Sequence, residues 1–279
     1  MLQKRIVNNS LFGVAAVLAL TLSNGVAGAQ TSAYYIASGD NSSTYVVQNG
    51  ILIKQFSSAL LGYPIAVTNT IWLGNRDDKG ATEYTLGGVA TGNTSLGGSR
   101  FSQLLDGTSD GKGHNYGALL ASSGPNGVTI ANANWSNQTL LFSDNAHGQF
   151  ESIAYDTKNN HLFVGVFGGR LLEFDLVGNL LNSSTPNFDL ASLAYEQATD
   201  TLWSAPNSGN KINQYSISGT FLQSITVSGV ASFGNNFGGE FAVGPAAPVP
   251  EPGSIAFLVG IASTGGLFAF KRSRALKKK

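Results

Sequence analysis

A stretch of about forty residues occurs twice in succession in the second half of this chain, and that repetition restricts the fold more than any single motif does. Phe150-Glu151-Ser152-Ile153-Ala154-Tyr155 matches Leu190-Ala191-Ser192-Leu193-Ala194-Tyr195, and His161-Leu162-Phe163 matches Thr201-Leu202-Trp203. Glu173 to Gly178 then matches Gln214 to Gly219 with a one-residue insertion in the loop between. A third copy runs from Pro64 through Ile65, Val67, Ile71, Trp72, Tyr84 and Gly88. A fainter one spans Phe101 to Phe142, anchored by Leu119-Leu120 and Leu140-Leu141. Each copy reads as four short strands: a small-residue strand, one carrying an aromatic, one that alternates, and one after a glycine turn. In Lys211 to Ile217 the alternation puts Ile212, Gln214 and Ser216 on one face and Asn213, Tyr215 and Ile217 on the other.

Four strands per forty residues is the pattern of a propeller blade, and the small residue of the first strand suits a crowded centre. Ala33 to Phe56 holds an aromatic strand, an alternating strand and the turn at Gly50, but lacks a first strand. Glu240 to Val243 reads as a first strand with nothing after it. The two fragments together make one blade, which closes the ring and leaves no raw sheet edge. The expectation is an all-β, about five-bladed propeller with one composite blade and others near 64–97, 101–142, 150–184 and 190–228. The repeats resemble those of NHL-like or lyase-like propellers. A β-sandwich with similar hairpins is the alternative fold.

The two ends of the chain read as delivery signals. Lys4 and Arg5 precede an apolar stretch from Leu11 to Leu22, and Ala27-Gly28-Ala29 follows as a cleavage pattern. This predicts a signal peptide over 1–29, use of the Sec export machinery, and an exported body over 30–248. At the other end, Ser254 to Phe270 carries no charge across seventeen residues. A helix of that length spans roughly 25 Å, enough for a short transmembrane crossing. Six Lys or Arg follow it, which the positive-inside rule keeps cytoplasmic. Pro250-Glu251-Pro252, the apolar run over 254–270 and the basic end together resemble the PEP-CTERM sorting signal, over 249–279. The resemblance implies a substrate of a membrane-embedded exosortase, held transiently in the inner membrane of a Gram-negative bacterium. It further implies passage to the cell surface or medium, in cells that make exopolysaccharide and biofilm. The prolines also disfavour helix and sheet, leaving an extended segment for an enzyme to grip.

Charge narrows the function classes once the ends are set aside. The body retains eight basic and fifteen acidic residues, a net charge near −7, which argues against nucleic acid as a partner. With no cysteine, thiol chemistry, disulfides and Cys-based metal sites are excluded. Thirty-five glycines fit a fold of many turns.

Candidate chemistry is sparse, and no cofactor is expected. Arg76-Asp77-Asp78-Lys79-Gly80 falls between the second and third strands of a blade. Asp77 and Asp78 are candidate ligand-binding carboxylates, for a cation or a sugar hydroxyl, on what is also an ordinary hairpin tip. His147 lies in the interblade loop Ser143 to Gln149, where propellers usually place ligand contacts. His161 reads as a turn residue before a strand. Asp106 to His114 is similar to a fragment of a calcium loop, but the acidic spacing is broken and the closing Glu absent, so it reads as a flexible glycine turn without metal. No nucleophile elbow, zinc-binding helix or phosphate loop occurs.

Two functions follow from these readings. The first is a non-enzymatic surface or matrix protein, with binding or structural work linked to exopolysaccharide. The second is an exported hydrolase or lyase acting on a sugar or lactone at the mouth of the central channel.

Overall fold

Twenty strands form five four-stranded antiparallel sheets in the computed structural model. The described residues are 30, 32–39, 42–58, 62–76, 80–96, 103–120, 126–186 and 189–243, and the structural statements below concern these. The predicted signal peptide, the segment 249–279 with Pro250, Glu251 and Pro252, and the pair Asp77 and Asp78 lie outside them.

The strands in chain order are β1 (Tyr34–Ser38), β2 (Ser43–Gln48) and β3 (Ile51–Ser57), then β4 (Gly62–Val67), β5 (Thr70–Asn75), β6 (Ala81–Thr85) and β7 (Ala90–Ser95). The next sheet is β8 (Leu104–Ser109), β9 (His114–Leu119), β10 (Gly127–Asn132) and β11 (Thr139–Ser143). After it come β12 (Phe150–Asp156), β13 (His161–Val166), β14 (Arg170–Phe174) and β15 (Leu180–Ser184). The last full sheet is β16 (Ala194–Glu196), β17 (Thr201–Ser204), β18 (Lys211–Ser216) and β19 (Phe221–Thr226), and β20 (Asn236–Phe241) closes the chain of strands. Blades 2 to 5 are each four consecutive strands. Blade 1 has the order β20-β1-β2-β3.

The composite first blade is therefore present, with Tyr34 opposite Phe241 and Tyr35 opposite Glu240. Its closing strand starts at Asn236, four residues ahead of the expected Glu240. Gly238 and Gly239 sit inside it. A β-carbon at Gly238 would collide with the Tyr63 carbonyl of blade 2, and one at Gly239 with the Ser192 carbonyl ahead of blade 5. The glycines let the inner strands approach closely at the axis.

The first strands of the sheets touch one another, so they line the axis. Each seam between blades holds its own apolar cluster. Trp203 and Ile212 of blade 5 meet Tyr34 and Phe241 of blade 1; Tyr35 and Val46 of blade 1 meet Ile65 and Leu73 of blade 2. Tyr116 and Phe142 of blade 3 meet Ile153 and Phe174 of blade 4, and Phe163 of blade 4 meets Tyr215 of blade 5. Ile212 and Tyr215 thus serve opposite seams, as the alternation in β18 requires. Where β-sandwich sheets would share one core, here every sheet is buried on both faces.

A turn at the foot of each blade seats on the blade before it. Gly178, at φ 90°, lies on the Phe142 ring of blade 3, and Gly88, at φ 77°, on the Phe56 ring of blade 1. Blade 3 departs from this rule. Its turn, 133–138, carries Trp135 at φ 62° instead of glycine, and the indole packs on Gly107 and donates Nε1–H to the Trp72 carbonyl at 3.4 Å. That substitution is one reason why the copy over Phe101 to Phe142 is faint in the sequence.

Two sequence expectations need correction. Residues 106–109 of the stretch Asp106 to His114, read as a flexible glycine turn, belong to the inner strand β8, and only 110–113 turn. The strand was hidden because Asp106, Thr108 and Ser109 are buried polar residues, satisfied at the axis rather than alternating with apolar ones. His161, read as a turn residue, opens β13 and binds Glu173 Oε1 through Nδ1 at 2.8 Å.

Candidate functional site

The alternation of strand direction gives the ring two unlike ends. Turns between first and second strands, and between third and fourth, gather at what we term the lower end. Turns between second and third strands, and the links from one blade to the next, gather at the upper end.

Between the ends, the axis is held by carboxyl groups. Asp106 of β8 accepts the Gly107 and Gly239 backbone N–H groups on Oδ1 (2.7 and 3.0 Å) and that of Ile153 on Oδ2 (3.0 Å). One side chain thereby ties together blades 3, 4 and 1. Glu240 accepts the Ser109 N–H at 3.1 Å, and Thr108 Oγ1 accepts the Tyr155 N–H at 3.1 Å. Burial pushes the Asp106 carboxyl well above its ordinary range against three lowering backbone bonds, with the Glu240 charge adding to the rise. Burial likewise raises Glu240 to about 8. These groups serve the fold, since both are fully enclosed.

The lower end repeats one design. In blade 4, Asp156 Oδ1 accepts the Lys158 and Asn159 N–H groups, and Tyr155 Oη donates to Asn160 Oδ1 at 2.8 Å. In blade 5, Glu196 accepts from Thr199 Oγ1 and from Trp203 Nε1, and Tyr195 Oη donates to Asp200 Oδ1 at 2.8 Å. Lysines join the turns in series: Lys112 Nζ reaches Asn160 Oδ1 at 3.2 Å and Lys158 Nζ reaches Asp200 Oδ2 at 2.5 Å. His114 belongs here, with Nδ1 2.9 Å from Asp110 Oδ2. Asp110 Oδ1 meanwhile accepts the Lys112 and His114 N–H groups, so the turn uses its own carboxylate. Among the described residues no three His, Asp or Glu gather as a metal ion would need.

The upper end is where dissimilar side chains converge. Phe237 of β20 lies between two other rings, Tyr63 of blade 2 at 5.2 Å and Phe167 of blade 4 at 6.3 Å between centroids. Arg76, after β5, stands over the Tyr63 ring at 5.6 Å. Phe167 is 41% exposed and Phe237 half-buried. Beside them is an acid pair. Glu151, on the bulge that opens β12, is buried and hydrogen-bonds Asp189, which is exposed on the link from blade 4 to blade 5. Asn207, between β17 and β18, donates Nδ2–H to Glu151 Oε1 at 3.1 Å, and its backbone N–H to Asp189 Oδ2 at 2.9 Å. Backbone bonds draw the rings and the acids around one opening. Phe167 N–H donates to the Gln149 carbonyl two residues from Glu151, and Ser192 N–H, on the segment of Asp189, donates to the Phe237 carbonyl.

Burial first, then the Asp189 charge and the bond to it, raises Glu151 to about 8; the Asn207 amide opposes this. Glu151 is therefore largely neutral at neutral pH. A hydrogen-bonded pair is closer than the roughly 5 Å or more that separates the two carboxyl groups of glycosidases. The arrangement can stack a ring, pair with a cation and exchange hydrogen bonds with hydroxyls.

His147 lies at the upper end as its loop position implied, with Nδ1 2.5 Å from Asp144 Oδ2 in the same turn. Asp144 also accepts the Ala146 and His147 N–H groups, so that loop is internally bonded. The residues of the opening itself escaped the sequence reading. A signal for two of them existed. Glu151 stands opposite Ala191, and Phe167 opposite Asn207, in the forty-residue alignment, so the site falls where the repeats disagree.

The fold has solved counterparts. A chain from a crystal structure of the nidogen/laminin complex is similar over 76% of this chain and 98% of its own, with a TM-score of 0.53 and 9% identity. A protein of unknown function from Bacteroides caccae is similar over 72% of this chain and 76% of its own, with a TM-score of 0.46 and 16% identity. At such identities the likeness concerns the fold alone. No protein-family model and no curated sequence matches the chain.

Proposed function

We propose that this chain is an exported, exosortase-sorted propeller that works as a non-catalytic binding module at the cell surface or in an exopolysaccharide matrix. Sec export would use residues 1–29, and Pro250-Glu251-Pro252 would present the sorting site before the inner-membrane segment 254–270. The observation that carries the binding half is the upper opening. Side chains from blades 1, 2, 4 and 5 converge there: the exposed Phe167 and half-buried Phe237 on the buried Tyr63, beside an acid pair and an amide. Such a mixture of apolar faces and a few aimed polar groups is what ligand sites have in common. The position suits it as well: the closing strand β20 runs from the upper to the lower end, so the chain leaves the propeller at the end opposite the opening.

The sorting half is tested in vivo. Replacing Pro250, Glu251 and Pro252 by alanine is expected to leave uncut protein in the inner membrane, read by fractionation and a change in apparent mass. Normal processing and release of that variant would refute exosortase handling.

One observation favours the second reading, a hydrolase or lyase acting on a sugar or lactone: Glu151 holds a proton at neutral pH beside an exposed carboxylate. Turnover of polysaccharide or lactone substrates that Glu151→Gln abolishes would establish it, and turnover unchanged in that variant would dismiss it.

A further inference from the structure

We propose that the upper opening binds an amino-sugar oligomer, with a pyranose face laid on Phe167 and Phe237 and its ammonium group against Asp189. The inference rests on reading the upper end as the binding face and adds the chemistry of the ligand.

Three features select that class. Phe167 and Phe237 meet edge to face and leave a partly exposed aromatic surface, which suits the flat array of C–H bonds on a sugar ring. Asp189 is exposed, receives the backbone N–H groups of Ala191 and Asn207, and pairs with no Lys or Arg among the described residues. It is an anchored anion open to a cation. Glu151, buried, lies directly behind it, and Asn207 flanks it with a half-buried amide. An acidic polymer is disfavoured because the body carries a net charge near −7. A neutral glucan would satisfy the rings but leave Asp189 without a counter-charge. A basic peptide would satisfy Asp189 and make little use of the flanking amide.

The test titrates the full-length chain, in detergent at pH 6, with four probes by calorimetry. These are a β-1,4-linked glucosamine hexamer, its N-acetylated form, cellohexaose and pentalysine. The glucosamine hexamer is expected to bind, and cellohexaose and the acetylated hexamer to bind about tenfold more weakly or worse. Asp189→Asn and Phe167→Ala are each expected to weaken the glucosamine complex about tenfold, and Phe167→Tyr to restore it. Both positions are exposed, so melting temperatures close to wild type would certify the fold. The proposal is overturned by absence of hexamer binding, or by variants that bind like wild type. Cellohexaose binding equally well, or pentalysine binding as tightly and indifferent to Phe167→Ala, also overturns it, the last identifying the site as a general cation or peptide surface. Failed binding with normal sorting sinks only this inference. Failed sorting with intact binding sinks only the delivery reading.

Discussion

The two ends of the ring are made by the same repeats, yet they have diverged in opposite ways. At the lower end the sister turns retain their parts forty residues apart: Tyr155 donates to Asn160 as Tyr195 does to Asp200, and Asp156 and Glu196 both serve as acceptors in their turns, though with different donors. At the upper end the same alignment pairs Glu151 with Ala191 and Phe167 with Asn207, and these unlike residues line the opening. A turn that satisfies itself need only be copied. A site that addresses something outside the ring must differ from blade to blade, because each blade meets a different part of one ligand. Repetition here marks scaffold, and its failure marks the end proposed to bind.

The contrast can be broken at the axis first, where both ends depend on the same pins. Asp106→Ala strips acceptors from the backbone N–H groups of Gly107, Ile153 and Gly239, and is expected to cost on the order of 4 kcal/mol or to prevent folding, read from urea titration. A loss below about 1 kcal/mol would mean that the ring closes without its central carboxyl.

Next comes pH. Glu151 and Glu240, both raised to about 8, and Asp106, raised well above its ordinary range by burial, hold protons in the folded state that the unfolded chain releases in the ordinary carboxylate range. Their stabilising contribution is complete below that range and is lost as pH climbs through about 8. Melting temperature is therefore expected to fall by about 5–10 °C between pH 5 and pH 9, with Glu240→Gln flattening the slope at the axis and Glu151→Gln at the upper end. A melting temperature that rises over the same interval would contradict the assignment of these groups as buried and neutral.

A smaller effect belongs to the lower turns. Asn160 sits at φ 58° and receives bonds from Tyr155 and Lys112. Asn160→Ala is expected to cost about 1–2 kcal/mol and Asn160→Gly less, with probe binding unchanged in both. Any loss of binding would couple the two ends. The smallest change in stability is expected at the opening itself: Phe167→Ala should shift unfolding by no more than about 0.5 kcal/mol while removing ligand affinity. A site that contributes to binding and hardly to folding would sharpen the division between the ends.

Much of this fold was legible before any coordinates. The alternation in Lys211 to Ser216 gave the third strand, and the missing first strand before Tyr34 implied closure by a C-terminal one. Both are local facts, because a blade is built of hairpins between sequence neighbours. The strand at Asp106 stayed hidden, since its polar residues are explained only by partners 47 and 133 positions away. Trp135 similarly replaces a turn glycine for a reason that lies in the preceding blade, at Trp72. The upper opening was the least readable part. Tyr63, Phe167 and Phe237 look like ordinary core aromatics one at a time, and nothing in their spacing brings them together.

By itself the chain's sequence determined the repeating unit and the number of blades, because those depend on short-range pairing and on periods of two and about forty, and the way the ring is fastened, because each end lacks what the other carries. Tertiary structure alone decided which carboxyl groups are enclosed at the axis and which side chains share the upper opening. Those outcomes depend on winding five blades around a common centre, and winding makes neighbours of residues that the linear order keeps far apart.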